Sequence, residues 1–164
     1  MSISFTASAS HGSQPCRNTN FSSGNRASRW RTCRVTVSAS ATSPKRLIVS
    51  GGASACVELP APELALDDLV ATQRALLASG LPIGRVNAVR KHLSALKGGG
   101  ALRRTRGRVL AFLLSDVPDD DPSAIGSGPF AADPTSFAEA MAAVQPLAGV
   151  PERVVRHLEG GVQG

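Results

Sequence analysis

The run Val109-Leu-Ala-Phe-Leu-Leu114, followed directly by Ser115-Asp116-Val117-Pro118-Asp119-Asp120-Asp121, decides the fold. A fully apolar run that stops at turn-forming residues reads as a strand, and one without polar alternation reads as central and covered on both faces. Upstream, Leu47-Ile-Val49 is a shorter run of the same kind, a buried strand ending in Ser50-Gly51-Gly52-Ala53-Ser54. Between them, Leu66 to about Ser79 reads as a helix, with Asp67 and Asp68 favourable in its first turn and Gly80 closing it. Ile83 to about Leu96 is a second helix, because Val86, Val89, Leu93 and Leu96 recur at helical spacing until Lys97-Gly98-Gly99-Gly100 breaks it. Downstream, Ser136 to about Val144 and Pro151 to Glu159 predict two more helices. This order of elements predicts an α/β fold, a Rossmann-like parallel sheet covered by helices in three layers.

A chain of 164 residues can hold one domain with its own core. Apolar residues make up 42% and aromatic ones 4%, so that core is built from Leu, Val, Ile and Ala. The net charge of +6 would suggest a nucleic-acid partner, but position removes the suggestion. No acid precedes Glu58, whereas Arg17, Arg26, Arg29, Arg31, Arg34 and Lys45 all lie early; from Arg46 onward twelve basic residues face twelve acidic ones. With no basic stripe and no interleaved aromatics, nucleic acid is not an expected partner. Cys16, Cys33 and Cys56 share no metal-ligand spacing, and a reducing compartment is the default. No apolar run approaches the roughly 18 residues of a membrane span, so no membrane partner is expected.

Composition changes near residue 45. Residues 1–45 are rich in Ser, Thr, Asn and Arg and contain no acid, and they are expected to be disordered or unrelated to the rest of the chain. Such text also suits an organelle transit peptide or the product of a shifted reading frame. Cytoplasmic localisation is expected, with an organelle as the alternative if the segment is a transit peptide.

Ligands of open parallel sheets collect outside the carboxyl ends of the strands, and two loops leave from such ends. The first, Ser50-Gly51-Gly52-Ala53-Ser54, offers close approach to backbone N–H groups and two hydroxyls for an anion; it is also the composition of a plain turn. The second carries Asp116, Asp119, Asp120 and Asp121, then Ser127-Gly128-Pro129. Carboxylates after a buried strand suit Mg²⁺, which takes one or two of them plus waters and phosphate oxygens; an Asp/Pro turn has the same text. On the second helix Arg90, Lys91 and Ser94 read as a polar flank on which one anion could meet Arg90 and Ser94, or else as a solvated face. His92 reads as a surface or satisfied histidine. Together these parts suit phosphoryl transfer, which rests on positioning and charge neutralisation.

The strings L-I-V-S-G-G-A-S-A, N-A-V-R-K-H-L-S-A-L-K-G-G, L-L-S-D-V-P-D-D-D-P and S-G-P, in this order from Arg46 to Glu159, resemble the glycerate 2-kinases. Those carry a C-terminal MOFRL domain, and some relatives are labelled hydroxypyruvate reductase. The resemblance implies transfer of the ATP γ-phosphoryl group to the 2-hydroxyl of D-glycerate, with Mg²⁺. It places Ser50, Gly51, Gly52, Ser54, Arg90, Lys97, Ser127 and Gly128 around substrate or phosphate. Asp116 and Lys91 form its catalytic set, and Asp116, Asp120 and Asp121 its metal set. Residues 46–164 would then be part of the kinase N-terminal domain, with the MOFRL domain and an upstream Gly-Lys-Ala segment missing, and the chain alone is expected to turn over little or nothing. A non-catalytic remnant or binding module and a hydroxypyruvate reductase-type oxidoreductase are the alternatives, though no G-x-G-x-x-G follows either strand. The family has Gly where Ala53 and Asp119 stand, Arg at Gly100 and Thr at Phe130; a methyl at Ala53 would be costly if that position needs a positive φ.

Overall fold

The computed structural model describes residues 30–36, 45–50 and 52–164. Strands β1 (Trp30–Thr36), β2 (Lys45–Val49) and β3 (Arg108–Leu114) form a sheet in the order β1-β3-β2. The apolar run that decided the fold is the central strand. β2 pairs with β3 in parallel, Leu47 opposite Ala111 and Val49 opposite Leu113, as an α/β reading requires. β1 adds antiparallel, Cys33 opposite Ala111, so the sheet is mixed rather than wholly parallel. β1 also lies inside the segment expected to lack structure. Its sequence, Trp-Arg-Thr-Cys-Arg-Val-Thr, has the aromatic and β-branched content that favours strands, which the acid-free surroundings obscured. Residues 1–29 and 37–44, which carry the rest of that expectation, lie outside the described residues.

Burial corrects two strand expectations. Along β3, Val109, Ala111 and Leu113 are buried while Leu110, Phe112 and Leu114 are only half-buried. Among the described residues one face is therefore packed more tightly than the other. β2 is not a buried strand: Ile48 is 74% exposed and Leu47 is exposed too, because β2 lies at the end of the strand order and only Val49 reaches the core.

Six α-helices lie among the described residues: α1 (Ala53–Cys56), α2 (Leu66–Ala78), α3 (Ile83–His92), α4 (Gly100–Arg104), α5 (Phe137–Val144) and α6 (Glu152–Gln163), with two short 3-10 turns, Pro118–Asp120 and Ile125–Ser127, in the loop after β3. At the start of α2, Ala65 has no side-chain acceptor, and Asp68 instead reaches back to the Ala65 N–H at 2.9 Å. α5 has a full capping box: Ser136 Oγ accepts from the Glu139 N–H and Glu139 accepts from the Ser136 N–H. Such a cap is worth about 1 kcal/mol.

α3 ends at His92, short of the expected Leu96. Ser94 Oγ accepts from the N–H groups of Leu96 and Lys97, and Ala95 N–H donates to Leu59 C=O, so the backbone has better partners than a further helical turn. The glycine run does not simply break a helix, since it turns the chain into α4. The apolar faces of α2, α3, α5 and α6 meet in one core, where Leu76, Val89, Val154 and Leu158 are almost fully enclosed. Each such side chain contributes about 1.5–3 kcal/mol. A second core packs Val49, Val109, Ala111 and Leu113 against Ile125 and Phe130 from the loop after β3. That loop therefore lies against the strands from which the candidate site departs.

Candidate functional site

The loops leaving the carboxyl ends of β2 and β3 converge. Ser54 Oγ and Ser127 Oγ lie 2.6 Å apart, and Arg90 donates from its guanidinium to Ser54 C=O at 2.9 Å. Ser54, Ser127 and Arg90 are thus brought together from three separate stretches of sequence. Ser54 and Arg90 line a cleft of about 460 Å³, together with Glu58, Arg74, Leu66 and Leu93. Gly52 has φ 81° and caps α1, a left-handed geometry that suits its missing side chain. Ser50 is exposed and its carbonyl accepts from Ala53 N–H at 3.2 Å. Gly51 lies outside the described residues. Ala53 starts α1 and is not among the positive-φ residues, so its methyl costs nothing of the kind expected.

Ser127 and Gly128 are held by the glycine turn. Gly98 N–H donates to Ser127 C=O at 3.0 Å and Gly99 N–H to Gly128 C=O at 2.7 Å. Ser127 is 1% exposed and has φ 64°. A non-glycine residue held left-handed costs on the order of 1–3 kcal/mol, and it persists where surrounding bonds over-determine it. Asp119 (φ 62°) and Asp120 (φ 52°) share this geometry in the same loop. Glycine at position 119, as in the resemblance, would adopt that φ without strain.

The cations behave differently from a shared anion-binding flank. Lys91 is buried and donates to Asp133 at 3.1 Å. Lys97 is 2% exposed and paired with Glu58. Ser94 lies beyond the end of α3 and donates to Glu58 at 2.5 Å, so Arg90 and Ser94 do not face one anion across a helical turn. Removing one partner of a buried ion pair typically costs about 3–5 kcal/mol, because the other charge is left desolvated. His92 Nδ1 lies 2.8 Å from Ala88 C=O and its ring meets Phe137 edge-on, in keeping with a satisfied histidine.

Glu58 and Asp133 were missed in the sequence. Glu58 stands alone in Val57-Glu58-Leu59-Pro60, and only the fold brings it to Lys97. Asp133-Pro134-Thr135 is an Asx-turn signal that could have been noticed: Asp133 accepts from the Thr135 N–H at 3.0 Å and hydroxyl at 2.7 Å. Burial pushes the Asp133 carboxyl up, but these two bonds and the Lys91 charge outweigh it and hold it below the ordinary value.

Of the aspartates read as a metal set, Asp116 is exposed at the end of β3 and Asp120 is buried. Both carboxylate oxygens of Asp121 accept from Ser123, one from its N–H at 2.9 Å and one from its hydroxyl at 2.6 Å. Among the described residues no group of three or more His, Cys, Asp or Glu side chains is arranged to hold a metal ion. Nor, among these residues, is any helix long and apolar enough to cross a membrane.

Residues 22–159 match the family model described as a domain of unknown function, DUF4147. The chain belongs to the DUF4147 family. Its match begins well inside the segment expected to be unrelated. This DUF4147 chain is 40% identical over 121 residues to a protein named glycerate 2-kinase in Pyrococcus horikoshii, covering 72% of this chain and 28% of that one. A putative hydroxypyruvate reductase of Agrobacterium vitis is 47% identical over 98 residues, covering 59% of this chain and 22% of that one. The crystal structure of a glycerate kinase from Thermotoga maritima superposes with a TM-score of 0.63 at 36% identity, covering 69% of this chain and 28% of that one. The chain thus spans less than a third of the length of these relatives.

Proposed function

We propose that this chain carries the anion-binding loops of an ATP-dependent glycerate 2-kinase, which forms 2-phosphoglycerate from D-glycerate. The observation that carries the reading is the meeting of Ser54, Ser127 and Arg90 at the ends of two parallel strands, beside a cleft. Names of relatives supply the substrate class. Arg90 is the cation for a carboxylate or phosphate, with the Ser54 hydroxyl as a further donor; Ser127, buried behind it, holds Ser54 in place. In this reading Lys91 acts as a support beneath the site, through Asp133, and not as a group that meets substrate.

Mg²⁺ fits in a restricted way. It takes one or two carboxylates and completes its shell with water and phosphate oxygens. Asp116, exposed at the end of β3, suits that role; Asp121, with both oxygens engaged by Ser123, does not. When bound, the metal neutralises phosphate charge. In the same reading Asp116 is the acceptor for the proton of the attacking hydroxyl.

The test is Asp→Asn at the position matching Asp116 in the Pyrococcus horikoshii relative. Loss of 2-phosphoglycerate formation is expected, and a near-normal rate would overturn the role of Asp116. The Agrobacterium vitis name supports hydride transfer as a second reading. Saturable NADH or NADPH binding by this chain, without ATP binding, would favour it.

A further inference from the structure

We propose that Glu58 is the positioning residue of the site: it fixes the glycine turn that holds Ser127 and so sets the geometry between Ser127, Ser54 and Arg90. The inference rests on the anion-binding reading above. Glu58 lies in neither candidate loop, yet it touches the cleft that Ser54 and Arg90 line.

Its carboxylate has three partners. One oxygen pairs with the Lys97 ammonium. The other accepts from Ser94 Oγ at 2.5 Å and from the Leu59 N–H at 3.1 Å. Ser94 Oγ in turn accepts from the N–H groups of Leu96 and Lys97, so both the side chain and the backbone at position 97 are tied to Glu58. The glycine turn comes immediately after. Gly98 (φ 54°) and Gly99 (φ 79°) direct their N–H groups at the carbonyls of Ser127 and Gly128. Ser127, strained and buried, meets Ser54, and Ser54 C=O holds Arg90. The connections form a ring that starts and ends at the wall of one cleft.

Two observations favour positioning over direct binding for Lys97. Its side chain is 2% exposed, and its charge already has a carboxylate partner. A buried ammonium needs such a partner, whereas an anion ligand must be reachable. Conversely, a strained Ser127 persists only while its surroundings over-determine it, and two of the bonds on its peptide neighbourhood come from the turn that Lys97 begins.

The test compares wild type with Glu58→Gln, which keeps shape and removes charge, by hydrogen exchange of individual amides and by calorimetric titration with D-glycerate and with ATP plus Mg²⁺. Exchange at Gly98 and Gly99 should accelerate at least tenfold in Glu58→Gln, with amides of α5 and α6 unchanged, and ligand affinity should fall at least tenfold. If Glu58→Gln does not fold, Glu58→Met/Lys97→Met removes both charges together, a change that buried pairs often tolerate. The same acceleration is expected there. Wild-type protection at Gly98 and Gly99 in a folded variant overturns the inference, whatever the titrations show. So does faster exchange with unchanged affinity. A wild-type chain that binds neither ligand, while Glu58→Gln still frees the turn, overturns the anion-binding reading and leaves the hold of Glu58 on Ser127 standing.

Discussion

The hydroxyl of Ser54 lies 2.6 Å from that of Ser127, across 73 positions of sequence. This bond joins the loop after β2 to the loop after β3, and it does so through a serine held at φ 64°. Backbone strain and hydrogen bonding therefore oppose each other at one residue, and substitution can separate them.

Ser127→Ala removes the bond and keeps the strain; Ser127→Gly removes the bond and relieves the strain. The glycine variant should be the more stable of the two by about 1 kcal/mol. Urea midpoints measure this, and an alanine variant equal to or above glycine would mean that position 127 is not strained.

Gly128 and Gly80 make a second pair. Both have positive φ, but a Cβ on Gly128 would stand 2.6 Å from Ser123 C=O, whereas nothing lies within 4 Å of one on Gly80. Gly80→Ala should cost about 1 kcal/mol, from conformation alone. Gly128→Ala adds a backbone clash and should cost about 3 kcal/mol. Equal losses in thermal or chemical unfolding would contradict the close packing of Gly128 on Ser123.

These positions show what the sequence could and could not convey. The run at Val109–Leu114 was legible as the central strand because apolar patterning is a local property, and the helix from Ser136 to about Val144 was legible from its own stretch of sequence in the same way. The end of α3 was not legible. The apolar period runs on to Leu96, but Ser94 is drawn off by Glu58 and Leu59, partners distant in sequence. β1 was hidden because its strand content lies in a segment whose composition suggested none. Within the site, Ser54, Arg90 and Ser127 could be named as candidates, yet not their mutual contact. Lys97 could be named as a cation, but the Glu58 that buries its charge carried no local signal.

Asp133 gives a pH dependence. Its folded carboxyl is held below the ordinary aspartate value, because burial, which raises it, is outweighed by the Thr135 hydrogen bonds and the Lys91 charge. A depressed carboxylate contributes stability that is fully present above the unfolded value and lost as pH falls through the folded one. On acidification from about pH 5 toward about pH 2, wild type should therefore lose more stability than Asp133→Asn. Unfolding midpoints across that range test it; parallel curves would show that Asp133 does not contribute in this way.

The central claim is that Arg90, beside the joined Ser54 and Ser127, meets an anionic ligand of a glycerate kinase. The most direct measurement is calorimetric titration of the wild-type chain and of Arg90→Ala with D-glycerate and with ATP plus Mg²⁺. Saturable binding of at least one ligand to wild type, weakened at least tenfold in a folded Arg90→Ala, is the expected result. Binding of neither ligand to wild type, or wild-type affinity in Arg90→Ala, would contradict it.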